Sequence, residues 1–427
     1  MRKRVKVLTV GCKANFADSA SIVRAAVWAG FDVVPASEAA AVVVVNSCTV
    51  THRADRDSRA LVRRARRENP GAVVVLTGCY AQIRPEDRRA LPEVDHWIGV
   101  GDSAALVSVL REIGGGGGAG APEGISEHAA DLLLGHRRTF VKIQDGCDFR
   151  CAYCVVPVAR GGSRSRPEKE ILDAAVRAEA DGAREIVLTG IHIGLYGTDR
   201  GARDALAGLL ARLLGKTSAV RFRLSSVEPM EITGPLLDAI AGNRRVCPHL
   251  HVPLQSGCDR TLSRMRRPYG AARYLEVVSR AAAAIPDLQT GTDVIAGFPG
   301  ETRADFEETV RFLRDAPVDY FHVFPYSPRP GTESAGWPDD VAAGEKKERV
   351  ARMLALDAGK RQAYLRRQEG KALDVLAETF HHGRGELSGR AGNYAEVVFP
   401  GDPGGVGAVF RVRVAGSRGT ILVGAAL

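Results

Sequence analysis

A chain of 427 residues with 59 Lys and Arg against 50 Asp and Glu carries a formal net charge of +9, which suits a polyanionic partner. Its 45% hydrophobic and 26% charged residues exclude a disordered or collagen-like chain and predict two or three domains with ample core. The longest apolar run, residues 39–45, cannot span a bilayer, and Lys6 and Lys13 interrupt any signal-peptide core, so a cytoplasmic protein with no membrane partner is expected.

Residues 5–10 form an apolar, β-branched run followed by a helical pattern at 19–29. Residues 41–45 and 72–76 are two more buried-strand runs, each leading into a helical pattern. This alternation predicts an N-terminal α/β domain with a doubly wound parallel sheet, residues 1–113. Cys12, Cys48 and Cys79 each stand just past a strand, in VGC, NSC and TGC. Open α/β sheets bind ligands outside the carboxyl ends of their strands, so the three thiols are expected to converge on one site. A single cysteine there would read as a small buried hydrophobe; three at the same edge do not.

Residues 114–122 read GGGGGAGAP, and a flexible linker is expected over 114–138. A second alternating region follows, with candidate strands at 139–144, 185–189, 219–224, 249–254, 289–295 and 320–325. Helical patterns lie near 168–181, 204–214, 235–241, 271–284 and 305–315. Six βα units predict a partial (β/α)6 TIM-like barrel over 139–368. The polar clusters DGCDFRCAYC, TGIHIGLYG, SSVEP, PLQSG, AGFPGE and PYSPRPGT all follow its strands, where a barrel enzyme builds its site. A charged helix is expected over 340–367. Short strand runs at 373–379, 395–399, 409–414 and 420–423 then predict a small all-β domain, 369–427.

Eight cysteines in this length are too scattered for a disulfide scaffold, and in a reducing compartment they point to metal or redox work. Cys147, Cys151 and Cys154 form C-x3-C-x2-C after the first barrel strand, with no fourth Cys or His close in sequence to complete a zinc site. Iron–sulfur cubanes are held by thiolates, normally one per iron, so three leave one iron open to a substrate or cofactor. A zinc completed by a distant His is the competing reading. Cys247 and Cys258 match neither trio and are expected to be unliganded. His192 and His251 read as hydrogen-bonded histidines, and His381-His382 imply no metal without partners.

With Tyr153 before its last cysteine, this motif resembles the signature of the radical S-adenosylmethionine superfamily. TVGCKANFADS, VNSCTVT and TGCYAQ, followed by KIQDGCDFRCAYCVVPVARG, resemble its methylthiotransferase family over nearly all of the first ~335 residues. TGIHIG, SSVEP, HLHVPLQSG, MRRPY, DVIAGFPGE and HVFPYSPRPGT are similar to the branch that modifies threonylcarbamoyladenosine in tRNA. The C-terminal β domain is similar to the TRAM module of these enzymes.

The resemblance implies two 4Fe-4S clusters and S-adenosylmethionine. Cys147, Cys151 and Cys154 would bind the radical cluster, whose free iron chelates the cofactor. An electron from a flavodoxin- or ferredoxin-type donor then breaks a carbon–sulfur bond to give a 5′-deoxyadenosyl radical. Cys12, Cys48 and Cys79 would hold an auxiliary cluster carrying sulfur from a separate source. The target carbon is C2 of an adenosine beside the anticodon, whose C–H bond is too weakly acidic for a side-chain base. A second S-adenosylmethionine supplies the methyl group. By the same resemblance, Gly297, Pro299 and Glu301 of GFPGE would pack on the cofactor adenine. Ser226 and Glu228 of SSVEP would meet its polar groups, with Gln255 and Tyr153 as further cofactor contacts.

The predicted helix after Cys48 carries Arg53, Arg56, Arg59, Arg63 and Arg67, which span about 120° of one face at helical spacing. This stripe, with Arg266 and Arg267 in RMRRPYG, is the expected grip on phosphates of a tRNA anticodon stem-loop. A solvated face paired with Asp55 and Asp57 is the bland alternative. Isopentenyladenosine in tRNA or an aspartate of a ribosomal protein is the rival substrate within the family. An RNA-binding scaffold with structural clusters, or a zinc-binding α/β protein, is the rival outside it.

Overall fold

The computed structural model describes residues 2–114 and 125–427; most of the Gly-rich run expected as a linker lies outside them. Strand β1 (Arg4–Thr9) leads into helix α1 (Lys13–Trp28), and β2 (Asp32–Val33) returns to the sheet edge. Then β3 (Val42–Ser47) leads into α2 (His52–Glu68), β4 (Val73–Gly78) into α3 (Cys79–Ile83), and β5 (His96–Trp97) into α4 (Ser103–Gly114). The five strands are parallel in the order β2-β1-β3-β4-β5. The strand order therefore reverses between β1 and β3, which opens the crevice where such sheets bind ligands. Cys12 and Cys48 flank that crevice.

Helix α1 starts at Lys13, six residues before the apolar pattern predicted it. Its first turns bury polar residues, because Asn15 and Ser19 bond to the neighbouring strand end: Asn46 Nδ2 donates to Asn15 O at 2.8 Å and to Ser19 Oγ at 2.9 Å. Within the expected linker, α5 (Glu127–Leu133) is a helix capped by Ser126. It is tied to α1 by Arg24–Glu127 at 3.1 Å, and Asp131 accepts from the Phe140 N–H at 2.8 Å.

The central region begins with β6 (Thr139–Lys142). A short antiparallel pair, β7 (Gln144–Asp145) and β8 (Arg164–Ser165), encloses α6 (Val156–Arg160). There follow α7 (Glu168–Ala180), β9 (Glu185–Thr189), α8 (Ala205–Lys216), β10 (Arg221–Leu224), α9 (Gly234–Ala241) and β11 (His249–His251). The region ends with α10 (Asp259–Arg264), α11 (Ala271–Ala284), β12 (Gln289–Ala296), α12 (Arg303–Asp315), β13 (Tyr320–Pro325) and the long α13 (Ala343–Arg366). Two parallel sheets, β6-β9-β10 and β11-β12-β13, are joined by parallel bridges at Phe222–Val246 and Ser226–His251. Among the described residues no helix is long and apolar enough to cross a membrane.

β14 (Ala372–His381), β15 (Glu386–Ala391), β16 (Glu396–Pro400), β17 (Val409–Arg418) and β18 (Ile421–Ala426) close into a small barrel around Val375, Leu387, Val397, Phe399 and Val412. It docks on the amino ends of the central strands through one buried network. Glu185 accepts from Arg223 Nε at 2.6 Å and Arg221 Nε at 2.7 Å. The two guanidiniums then donate to the carbonyls of Asp374, Arg390, Ala391 and Gly392 at 2.8–3.0 Å. Removing one member of such a buried network costs about 3–5 kcal/mol, so the small barrel is held firmly.

The N-terminal sheet packs on the opposite, carboxyl side. Ala17 joins Phe140 and Val187 in one cluster, while Arg329, after β13, donates to Thr49 O at 3.0 Å and pairs with Asp55 at 2.9 Å. Helix α1 thus lies along β6, with Asp18 on Lys142 at 2.5 Å, while the segment after β3 meets the segment after β13.

Candidate active site

Two thiols of the N-terminal trio, Cys12 and Cys79, are brought in by turns that tolerate little bulk. Gly11 has φ +128°, and a Cβ there would stand 2.9 Å from Cys48 Cβ. Gly78 has φ +94°, and a Cβ there would meet Ser47 O at 2.4 Å. Glycine before Cys12 and Cys79 is therefore what lets the three strand ends close together. Cys12 caps α1 and is exposed; Cys48 and Cys79 are buried. Ser58 locks the Cys48 turn, accepting from its N–H at 3.1 Å and donating to its C=O at 3.0 Å.

The second trio lies on a loop fixed by its backbone. Cys147 N donates to Gly161 O, Ala152 N to Met265 O, and Cys154 N to Cys151 O, each at 3.0 Å. Two of its sulfurs have polar neighbours: His192 Nδ1 lies 3.3 Å from Cys147 Sγ, and Arg267 donates to Cys151 Sγ at 3.3 Å. His192 is held from its other nitrogen by Glu231 at 2.6 Å, and Arg267 is clamped by Glu228 and the Tyr269 hydroxyl.

Arg160 connects the trios. It sits at the end of α6, six residues past Cys154, with its side chain almost wholly buried. Its Nε donates to Cys79 Sγ at 3.4 Å, while its two terminal nitrogens donate to Asn15 at 3.0 Å, Asp18 at 2.8 Å and Asp145 at 3.1 Å. A cation from the central region is thus part of the N-terminal thiol site.

The donor chemistry tests which group the thiols suit. Among the described residues, the only set of three Cys, His, Asp or Glu ligand atoms lying within 4.8 Å of one another is His251, Asp293 and His322. Both thiol trios are more widely spaced than that, whereas a tetrahedral zinc holds its sulfurs about 3.8 Å apart. Wide three-thiol sets with cationic neighbours suit iron–sulfur clusters. The His251–Asp293–His322 set is closed by hydrogen bonds, each imidazole meeting a different carboxylate oxygen at 3.0 Å.

Burial pushes the Cys48 and Cys154 thiols from the ordinary 9.0 up to about 12. Burial also raises Cys79, against the opposing charge of Arg160. Without metal these thiols stay protonated in the folded chain, while unfolded thiols ionise near their ordinary value. Folding stability of the cluster-free protein is therefore expected to hold below that value and to fall as pH rises from about 9 towards 12. Melting temperatures of metal-free protein between about pH 7 and pH 10 measure this.

The other expected site residues divide. Tyr153 and Gln255 line a cavity of about 200 Å³ with Cys154, Asp293, Phe324 and Tyr326, and Thr51 closes it from the N-terminal side. Gln255 holds its turn at φ +71°. Ser226 pairs through its backbone with His251, and Glu228 is spent on Arg267. Glu301, expected at the cofactor, is buried: it accepts from Gly297 N at 2.7 Å and pairs with Arg349, so it shapes the GFPGE turn. A Cβ on Gly297 would strike Lys346, so this glycine accommodates a side chain of the protein itself. The Pro299 carbonyl accepts from Arg264 at 3.1 Å.

On α2, Arg53, Arg56, Arg63 and Arg67 are exposed, while Arg59 turns to the Tyr80 hydroxyl at 3.3 Å. Asp57 lies 3.8 Å from Arg53, but Asp55 faces inward to Arg329. Arg266 is exposed and paired with Glu333. Arg267, expected at an RNA-facing surface, is instead buried against Cys151, because the backbone reverses at Arg266 with φ +57°. Cys247 and Cys258 are buried away from both trios, and Cys258 donates to Asp305 at 3.3 Å. Sequence reasoning missed Arg160, Glu231, Asp293 and His322. Arg160, Asp293 and His322 had a signal, standing inside the CAYCVVPVARG, DVIAGFPGE and HVFPYSPRPGT motifs; Glu231 had none.

Comparison with known proteins bears on this arrangement. Residues 141–313 match the model of the Radical SAM superfamily, and residues 4–99 match that of UPF0004, an uncharacterized protein family. The chain is 35% identical over 417 residues to the threonylcarbamoyladenosine tRNA methylthiotransferase MtaB of Bacillus subtilis, covering 95% of this chain and 92% of that protein. It is 32% identical over 437 residues to the tRNA-2-methylthio-N(6)-dimethylallyladenosine synthase of Moorella thermoacetica, covering 99% and 98%. A solved radical S-adenosylmethionine methyltransferase, TsrM from Kitasatospora setae, shares the fold with TM-score 0.55 at 14% identity, over 78% of this chain and 77% of its own.

Proposed function

The chain belongs to the radical S-adenosylmethionine methylthiotransferases, and from that membership we propose that Cys147, Cys151 and Cys154 hold one 4Fe-4S cluster and Cys12, Cys48 and Cys79 a second. The protein is a tRNA methylthiotransferase, and its substrate is the threonylcarbamoyladenosine beside the anticodon, converted to the 2-methylthio derivative. When bound, the clusters and S-adenosylmethionine supply reductive carbon–sulfur cleavage, the inserted sulfur and the methyl group.

The chain's own residues position and shield this chemistry. His192 and Arg267 place polar hydrogens at the Cys147 and Cys151 sulfurs, and Arg160 does so at Cys79. Thr51, Tyr153, Gln255, Phe324 and Tyr326 enclose the cavity beside Cys154, which keeps water from the reacting adenine. The exposed arginines of α2, which starts four residues past Cys48, grip the anticodon stem-loop.

The proposed domain limits are 1–113, 139–368 and 369–427, with 114–138 as the linker between the first two. The central array is a partial TIM-like barrel, and the closed C-terminal barrel is a TRAM module. The enzyme works in the cytoplasm with a flavodoxin- or ferredoxin-type electron donor and a separate sulfur source. One observation carries the two-cluster reading: Arg160 reaches from the segment after Cys154 to the Cys79 sulfur, which brings the trios to one shared interface. Two tests follow. Anaerobically purified protein is expected to hold about eight irons per chain. Nucleoside mass spectrometry of tRNA from a deletion strain should show methylthio-threonylcarbamoyladenosine lost; unchanged levels reject the substrate.

A further inference from the structure

The inner faces of β11, β12 and β13 carry a wall of which only Phe324 has a role above. His249 and His251 on β11, Asp293 on β12, and Tyr320, His322 and Phe324 on β13 form a ladder. Tyr320 and His322 rings stand 5.5 Å apart, His251 and His322 5.5 Å, and His322 and Phe324 6.5 Å. Asp293 and Phe324 of the ladder line the cavity beside Cys154, and the His322 side chain between them is half exposed. At the lower end Tyr394 stacks on His249 at 4.5 Å, and the Lys13 ammonium lies 5.4 Å from the Tyr394 ring centre. Lys13 follows Cys12 directly, and its ammonium is in no ion pair among the described residues.

We propose that this wall, His322 and His251 oriented by Asp293 with Lys13 at its base, receives the N6 substituent of the target adenosine and selects one bearing a carboxylate and a hydroxyl. The proposal rests on the tRNA methylthiotransferase reading. A hydrocarbon substituent laid on these groups would strip their water without replacing its hydrogen bonds, whereas a ureido-linked amino acid returns both hydrogen bonds and a counter-charge. The local field agrees. Burial alone would raise the Tyr394 phenol, yet the nearby Lys13 and Arg138 charges bring it below its ordinary value, while burial lowers Lys13 itself.

The test uses cluster-loaded enzyme and two tRNAs, one carrying threonylcarbamoyladenosine and one isopentenyladenosine. His322→Leu and Lys13→Met are each expected to raise KM for the first tRNA by about 10- to 100-fold and to narrow its advantage over the second. His322→Gln, which keeps a donor and an acceptor, should recover part of the loss. Iron content and melting temperature establish that each variant is folded and loaded. Unchanged KM and unchanged discrimination in both variants overturn the subsite while leaving the enzyme's function standing. A wild-type enzyme that prefers the isopentenyl tRNA overturns its selectivity, and one inactive on both tRNAs overturns the functional reading with it.

Discussion

Cys151→Ala is expected to end cofactor cleavage in a chain that stays folded. The Cys151 sulfur accepts from Arg267, but that guanidinium also pairs with Glu228 and the Tyr269 hydroxyl, so losing the sulfur strands no buried charge. The stability cost is therefore about 1 kcal/mol or less. Iron should fall from about eight to about four per chain, and no 5′-deoxyadenosine should form under reducing conditions. Cys48→Ala makes the converse case. Its backbone bonds to Ser58 do not involve the thiol, so the strand end keeps its shape. Cofactor cleavage should persist with sulfur insertion lost. Normal methylthiolation by Cys48→Ala would refute the N-terminal trio as a cluster site.

Arg160→Ala is expected to cut sulfur insertion by at least about 100-fold while cofactor cleavage changes far less. The substitution removes the guanidinium at Cys79 and one of several links between the central region and the N-terminal sheet. Asp18 and Asp145 both keep Lys142, at 2.5 and 2.8 Å, so the stability loss should lie near the low end of about 3–5 kcal/mol. Iron content and the electron paramagnetic resonance of the reduced auxiliary cluster report the change directly. Arg160→Lys restores the charge without the fork of donors and should recover only part of it. Full auxiliary loading and wild-type insertion in Arg160→Ala would show the contact to be merely structural.

β3, β4 and β9 were legible because each is a short, nearly continuous apolar run between polar turns, whereas the two-residue strands β2 and β5 carry no such run and were not expected. β15 was not, since Glu386–Ala391 reads ELSGRA and has no such run; it exists because its neighbours in the closed barrel supply its hydrogen bonds. The early start of α1 was hidden for a related reason. Asn15, Asp18 and Ser19 look solvent-facing in one dimension, but they meet Asn46, Arg160 and Thr9 across the sheet edge. Arg267 was misread because RMRR looks like one charged surface run, whereas the turn at Arg266 sends its last member inward.

What the amino-acid order alone determined is the pair of thiol trios and the edges that carry them, because cysteine placement after a strand is a local property of chain and pleat. Which groups stand around those thiols was decided only by tertiary structure. Arg160, the Glu231–His192 pair and the Asp293 wall reach their partners across 29 to 81 residues of chain. No local pattern encodes such contacts. They arise where packed elements meet and each buried charge must find its counterpart.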